Sequence, residues 1–188
     1  MSTCTPRTEV SRERRSQESS VPPEPEAEHG VVKKSHDIRL GVLSDTHGLL
    51  RPEALQALQG VDHILHAGDI GRADILLSLE RIAPVTSIRG NMDWGGWTED
   101  LSETEVAEVG GVSIYMLHDL ERLDLNPKVA GFAAVVFGHT HLPEIRREDG
   151  VLYLNPGSAG PIRGSKPVSL ALVEVVDGVL NPRIVTLL

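Results

Sequence analysis

The chain carries one cysteine in 188 residues, Cys4. No intrachain disulfide can form and a thiolate metal site is excluded, so neither a disulfide framework nor a zinc finger is open to it. Aromatic residues make up only 3%, which argues against a platform on which nucleobases stack. No apolar run approaches the ~20 residues of a membrane span, and the first residues lack the apolar core of a secretory signal. The cytoplasm is the expected location, with no membrane partner. Basic residues are also in short supply: 18 Lys and Arg stand against 27 Asp and Glu, a net charge of -9. Extended nucleic acid or an anionic surface would want clustered cations. A small phosphorylated substrate stays open, because divalent cations in a site reverse the local potential.

What remains is an ordinary globular composition, 40% hydrophobic and 24% charged, in a chain long enough to bury one sizeable core. Residues 1–35 are rich in Ser, Glu, Arg and Pro, including Val21-Pro-Pro-Glu-Pro-Glu-Ala-Glu28. Such a segment cannot bury enough apolar surface to offset its ordering entropy. It reads as a disordered N-terminal tail, and 36–188 as the folded domain.

The domain is organised around Arg39 to Gly48. Leu40, Val42 and Leu43 form a short apolar strand that stops at Ser44, and Asp45 and His47 follow one residue apart on a loop. In open α/β sheets ligands bind beyond strand carboxyl ends. The pattern then repeats. His63 to Ala67 is a strand running into Gly68-Asp69, and Val85 to Ile88 one running into Arg89-Gly90-Asn91-Met92-Asp93. Helices are expected over Arg51 to Leu58, with Pro52 near its start, and over Ala73 to Arg81. Three successive strand-then-helix units imply a mainly parallel sheet. From Glu103 the pattern turns to strands. Glu105–Val109 and Val112–Leu117 form a hairpin through Gly110-Gly111, ending at His118. A short helix near Pro127 to Ala130 precedes the strand Ala133–Phe137, which leads into Gly138-His139-Thr140-His141. Two further hairpins turn at Asp149-Gly150 and Asp177-Gly178. Asn155 to Ser158 reads as a turn-rich loop between them.

The residues at these strand ends are Asp45, His47, Asp69, Asn91, His118, His139 and His141. Seven oxygen and nitrogen donors are about what two neighbouring divalent ions need from a protein. Singly, each has a plainer reading: His118 as a packed histidine, Asn91 and Asp69 as turn residues. Together they point to a dimetal site. His63 reads as structural, and His66 as packed near the site. Arg89 and Arg163 are candidate substrate clamps, since a guanidinium engages two phosphate oxygens at once, although surface ion pairing is the plainer use. Trp94 and Trp97 fit either the rim of a pocket or the core. Gly68, Gly90 and Gly138 precede ligands where the chain must turn sharply.

The ordered set Asp45-x-His47, Gly68-Asp69, Gly90-Asn91-x-Asp93, His118 and Gly138-His139-x-His141 resembles the calcineurin-like metallophosphoesterase superfamily, and in detail its small YfcE-type phosphodiesterases. The resemblance runs from about Ile38 to the C-terminus. It implies an α/β sandwich of two mixed sheets flanked by helices. It also implies one metal on Asp45, His47 and His141, a second on Asn91, His118 and His139, and Asp69 as the bridge. Asp69 and Asn91 would thus act in catalysis through the metals. Asn155 to Ser158 resembles the family's Asn-Pro-Gly-Ser loop and would support the site. The implied activity is a divalent-metal-dependent phosphoesterase, a phosphodiesterase in first place, in which a hydroxide activated between two cations hydrolyses the ester. Mn²⁺ is the first choice for hard oxygen plus imidazole ligands, with Fe, Ni and Zn compatible. The same fold also serves as a non-catalytic protein-binding scaffold of the Vps29 type, the alternative reading.

Two departures stand out. The superfamily places a histidine after the Asn of Gly-Asn-His, thought to protonate the leaving group, and the YfcE type usually a cysteine; here it is Met92. A thioether holds no transferable proton, and general-acid help is typically worth ~10²- to 10⁴-fold. Esters with acidic leaving groups are therefore expected to be favoured, unless Asp93, Asp119 or a water substitutes. The second departure is Asp119, where relatives commonly show glycine; it is expected to orient His118 or to face solvent.

Overall fold

The computed structural model describes Met1 and residues 37–188. The tail expected over 1–35, Cys4 included, lies outside the described residues apart from Met1. Three apolar runs build the first parallel strands: β1 (Ile38–Leu43), β2 (His63–His66) and β3 (Val85–Ser87), joined by helices α1 (Pro52–Ala57) and α2 (Ala73–Glu80). Pro52 sits at the start of α1, where its missing N–H costs nothing. After β3 the chain makes only a 3₁₀ turn at Gly96–Thr98 before β4 (Thr104–Val109), so the third strand-helix unit expected from the sequence lacks its helix. β4 pairs with β5 (Val112–Leu117), and α3 (Pro127–Ala130) leads to β6 (Ala134–Val136), β7 (Pro143–Glu148), β8 (Val151–Pro156), β9 (Ser169–Val176) and β10 (Val179–Thr186).

Two five-stranded mixed sheets result, β10-β9-β1-β2-β3 and β4-β5-β6-β8-β7. In the first, β1 is central, parallel to β2 (Leu43 opposite His66) and antiparallel to β9 (Leu40 opposite Val173). The long-range pairing of β9 with β1 makes this sheet mixed. In the second, β5, β6 and β8 run parallel and carry β4 and β7 antiparallel at the edges. All three glycine-containing hairpins have left-handed turn residues: Gly110-Gly111, Asp149-Gly150 and Asp177-Gly178. That backbone matches the right-handed strand twist.

The core has three layers. Leu40, Val42 and Leu65 from the first sheet meet Ile114, Met116, Val136 and Leu154 from the second. Leu43, Ile64 and Leu172 face outward under Leu58, Ile75 and Leu79 of the α1 and α2 segments. Tyr115, Phe137 and Tyr153 form the outer face of the second sheet, covered by Leu120, Leu123 and Phe132. Gly41, at mid-strand in β1, is explained by this packing: a Cβ there would collide with the Leu58 side chain. Among the described residues no helix is long and apolar enough to cross a membrane.

Candidate metal centre

The carboxyl ends of β1, β2 and β3 deliver Asp45, His47, Asp69 and Asn91 from one sheet, and those of β5 and β6 deliver His118, His139 and His141 from the other. The cluster therefore lies at the end of the sandwich, contributed by both sheets rather than by a single edge. Its backbone is unusual. Asp45, His47, Asp69, His139 and His141 all have positive φ, between 43° and 69°. Each such non-glycine residue costs of order 1 to 3 kcal/mol, and such residues cluster at functional sites. The only other positive-φ non-glycine residues described are the turn residues Asp149 and Asp177.

Hydrogen bonds hold these loops against the strain. Asp45 and His47 N–H donate to the Gly68 and Asp69 carbonyls at 3.0 and 2.9 Å. Ser158 Oγ donates to the Asp45 carbonyl at 2.9 Å. Buried Asp93 accepts from the N–H groups of Ile70, Gly71 and Gly90, clamping the loop after β2 to the loop after β3. Asn155 is fully buried and donates to the Gly138 carbonyl and to Thr140 Oγ1, steadying the loop that carries His139 and His141. Asn155 and Pro156 are the last residues of β8 rather than part of a free loop.

Within this frame the donor atoms converge. Asp45 Oδ1 lies 3.6 Å from His47 Nε2 and 3.3 Å from His141 Nε2. Asp69 Oδ2 lies 3.8 Å from His47 Nε2 and 3.4 Å from His118 Nε2, so it faces both groups. The ligand atoms of Asp45, His47 and His141 fall within 4.8 Å of one another, as do those of Asp45, Asp69 and His118. His47 stacks on His141 with centroids 5.1 Å apart, and His118 meets His139 edge-on at 5.4 Å. Asn91 and His139 are more exposed, joined by a 3.1 Å hydrogen bond from His139 Nδ1 to Asn91 Oδ1.

Several of the remaining atoms of these side chains are engaged, although His141 Nδ1 is buried without a partner among the described residues. Asp45 Oδ2 accepts from Ser44 Oγ at 2.7 Å and from the His139 N–H at 3.1 Å, and Asp69 Oδ1 accepts from the Met92 N–H at 2.8 Å. His118 Nδ1 lies 2.7 Å from the Ala67 carbonyl. A carbonyl only accepts, so Nδ1 donates its proton there, which leaves Nε2 as the atom turned toward Asp69. Asp45 Oδ1, His47 Nε2 and His118 Nε2 are buried without a hydrogen-bond partner among the described residues. Converging, unspent lone pairs on carboxylate and imidazole are the donor set that divalent cations take.

Titration follows the same geometry. Burial pushes the Asp45 carboxyl up, but contacts with His47 and Ser44 and the charges of His118 and His141 prevail and hold it below the usual range. Asp69 is likewise held low: burial is outweighed by His118, the Met92 N–H and His47. Burial pushes His118 down, and Asp69, the Ala67 carbonyl and Asp45 lift it above its ordinary value. His141 is lowered by burial, with Arg163, His47 and Lys166 adding to the effect against the pull of Asp45.

Beside this cluster opens a cavity of about 310 Å³ that shares Asn91, His118 and His139 with it. Arg89 lines the cavity and is ion-paired to Glu103 at 2.9 Å. Arg163 is exposed and near enough to His141 to lower its basicity.

Several expectations are corrected here. Asp93 is engaged by three backbone N–H groups, so it does not stand ready as a proton donor, whereas Asp119 accepts from Glu121 N–H on Oδ1 only and lines the cavity beside His118. It is the Ala67 carbonyl, not Asp119, that orients His118. Gly68 has the expected positive φ of 89°, whereas Gly90 and Gly138 are needed for space: a Cβ would strike Asp69 at the first and Ser44 at the second. Trp94 is 78% exposed, and Trp97 packs against the outer core. His63 meets Thr86 Oγ1 at 2.8 Å. His66 is fully buried, and its Nε2 donates to Thr46 Oγ1 at 2.9 Å because the Thr46 hydroxyl is itself donated to the Ile70 carbonyl. The Thr46–His66 pair, between two candidate ligands, carried no sequence signal of its own.

Residues 38–178 match the family model of the calcineurin-like phosphoesterase superfamily domain. The chain is 38% identical over 144 residues to a probable metallophosphoesterase of Methanothermobacter thermautotrophicus, covering 71% of this chain and 84% of the relative. It is 25% identical to a phosphodiesterase of Methanocaldococcus jannaschii, over 64% of this chain and 83% of that protein. A predicted phosphoesterase from Streptococcus pneumoniae superposes with a TM-score of 0.64 at 26% identity, covering 81% of this chain and 91% of the other. Vps29 from Cryptosporidium parvum superposes at 0.66 with 19% identity, over 79% and 97% of the two chains, a likeness of fold alone.

Proposed function

This chain belongs to the calcineurin-like phosphoesterase superfamily, and from that premise we propose that it is a divalent-metal-dependent phosphodiesterase acting on a small phosphate diester in the cytoplasm. The observation that carries the reading is the convergence of Asp45 Oδ1, His47 Nε2 and His118 Nε2, buried and without hydrogen-bond partners, around Asp69 Oδ2. Asp45, His47 and His141 would hold one cation and Asn91, His118 and His139 the other, with Asp69 between them; Mn²⁺ is the first candidate, ahead of Fe, Ni and Zn. When bound, such a pair polarises the phosphate and activates a water for in-line attack.

The chain's own residues set the conditions for that chemistry. Ser44 and the His139 N–H fix the Asp45 carboxylate, the Met92 N–H leaves Asp69 one oxygen to share, and Ala67 selects the His118 tautomer. With both carboxyls held low, they are ionised at neutral pH. Arg163, close enough to His141 to act on it, and Arg89, in the cavity beside His118 and His139, are candidate phosphate contacts. Met92 offers only its exposed thioether at the rim, so the leaving group must depart as a weakly basic anion or take its proton from water. That favours diesters with acidic leaving groups.

The test is hydrolysis of bis(p-nitrophenyl) phosphate and p-nitrophenyl phosphate by metal-stripped protein, before and after Mn²⁺ is added. Activity restored by metal and stronger on the diester is expected. Metal binding with neither ester cleaved would overturn the enzyme reading in favour of a protein-binding scaffold of the Vps29 type.

A further inference from the structure

The cavity beside the cluster has walls of mixed charge. Glu103 receives Arg89 Nη2 on Oε1 at 2.9 Å and Arg122 Nη2 on Oε2 at 3.5 Å, so one carboxylate holds two guanidiniums at the cavity wall. Asp119 and Asp124 line the same space. Two cationic side chains thus meet three carboxylates in the lining, so the walls themselves supply no surplus positive charge for a second anionic group on the substrate. Besides the imidazoles of His118 and His139, which are candidate ligands, the one aromatic ring in the lining is Tyr115; it is buried and stacks a face on Phe132 at 5.1 Å, so no free phenyl or indole ring is offered to a nucleobase. What the walls do offer is a close alternation of guanidinium donors and carboxylate acceptors. A hydroxyl is both donor and acceptor, and a group bearing several hydroxyls can use both kinds of wall at once. The Arg89 and Arg122 pairs are between 41% and 70% exposed; exposed pairs of this kind are weak and readily share their partners with an incoming group.

We propose that this cavity is a subsite for a neutral polyhydroxylated ester arm, a glyceryl or sugar group, which the phosphate diester retains while its more acidic arm leaves. The inference rests on the phosphodiesterase reading for its phosphate position, and Glu103 with Arg122 is its recognition element. About 310 Å³ accommodates a group of that size next to a phosphate placed at His118 and His139.

The test is calorimetric binding of diglyceryl phosphate and of diethyl phosphate to the Mn²⁺-loaded full chain, a comparison that holds the phosphate constant and needs no turnover. Diglyceryl phosphate is expected to bind about tenfold more tightly, the worth of one hydrogen bond to a charged group. Glu103→Ala or Arg122→Ala should shrink that ratio to within about threefold, and Lys128→Ala, on α3 and outside this cavity, should leave it intact. Equal affinities, equally weak binding of both, or tighter binding of a diester with carboxymethyl arms would each overturn the proposal. A hydroxyl preference in a protein that cleaves neither nitrophenyl ester would refute the enzyme reading and leave this one standing; turnover without the preference would do the reverse.

Discussion

Acidification should destabilise this protein through His66, by an amount the structure sets. The imidazole has no exposed surface, its Nε2 proton goes to Thr46, and Nδ1 finds no partner among the described residues. Burial outweighs the pull of Asp45 and lowers its pKa from 6.5 to about 4. Between those values the unfolded chain binds a proton that the folded chain refuses, so stability falls as pH drops through this window. A shift of that size, at 1.36 kcal/mol per pH unit, amounts to about 3 kcal/mol between pH 7 and 4. His118 works in the opposite sense, because its raised pKa adds stability as pH falls; comparison with a variant removes that contribution. The assay is urea unfolding of the native sequence and His66→Gln across pH 7 to 4 in the presence of a chelator. His66→Gln should be less stable at pH 7, having lost the fit to Thr46, but its stability should decline less on acidification, with the two curves closing by about 3 kcal/mol. Parallel curves would refute the reasoning, because they would mean that His66 accepts its proton in the folded state as readily as in the unfolded one.

Asp69→Asn should weaken metal binding and turnover together, since an amide oxygen does not serve two cations as a carboxylate does; full metal loading with unchanged turnover would count against a bridging role. Asp93→Ala removes the acceptor of three backbone N–H groups, two of them buried, on Ile70 and Gly90, and one on exposed Gly71; each buried group left unpaired costs about 1 to 3 kcal/mol, so a large drop in the urea midpoint is expected, and a change under 1 kcal/mol would show that the clamp is unimportant. Met92→His should raise the rate chiefly on diesters with basic leaving groups, by up to ~10²-fold; an equal effect on acidic and basic leaving groups would argue against the missing-acid account.

The outline of this site was legible because every candidate ligand follows an apolar run that stops at a polar residue. Leu43-Ser44-Asp45 and Leu65-His66-Ala67-Gly68-Asp69 announce strand ends by chemistry alone. The pairing of β9 beside β1 was not legible, since it joins residues more than 120 positions apart, such as Leu40 and Val173, and no local signal sets such a partner. The left-handed backbone at Asp45, His47, His139 and His141 was equally hidden. Sequence offers glycine as the sign of such conformations, and these positions hold side chains that the surrounding hydrogen bonds force into place. Asp93 was read as a spare acid because a carboxylate's partners are invisible until the backbone N–H groups of Ile70, Gly71 and Gly90 are seen to aim at it.

That the candidate ligands come from both sheets bears on how firmly the two halves of the sandwich are joined. Any cation that binds there becomes a rivet between β1–β3 and β5–β6, and it binds only when both are folded. Mass action then adds about 4 kcal/mol to global stability when free cation exceeds its dissociation constant a thousandfold. The melting temperature would follow the metal concentration, and withdrawal of the metal would loosen the loops that carry the strain at Asp45, His47, Asp69, His139 and His141. Metal supply would then govern the lifetime of the folded protein as well as its chemistry.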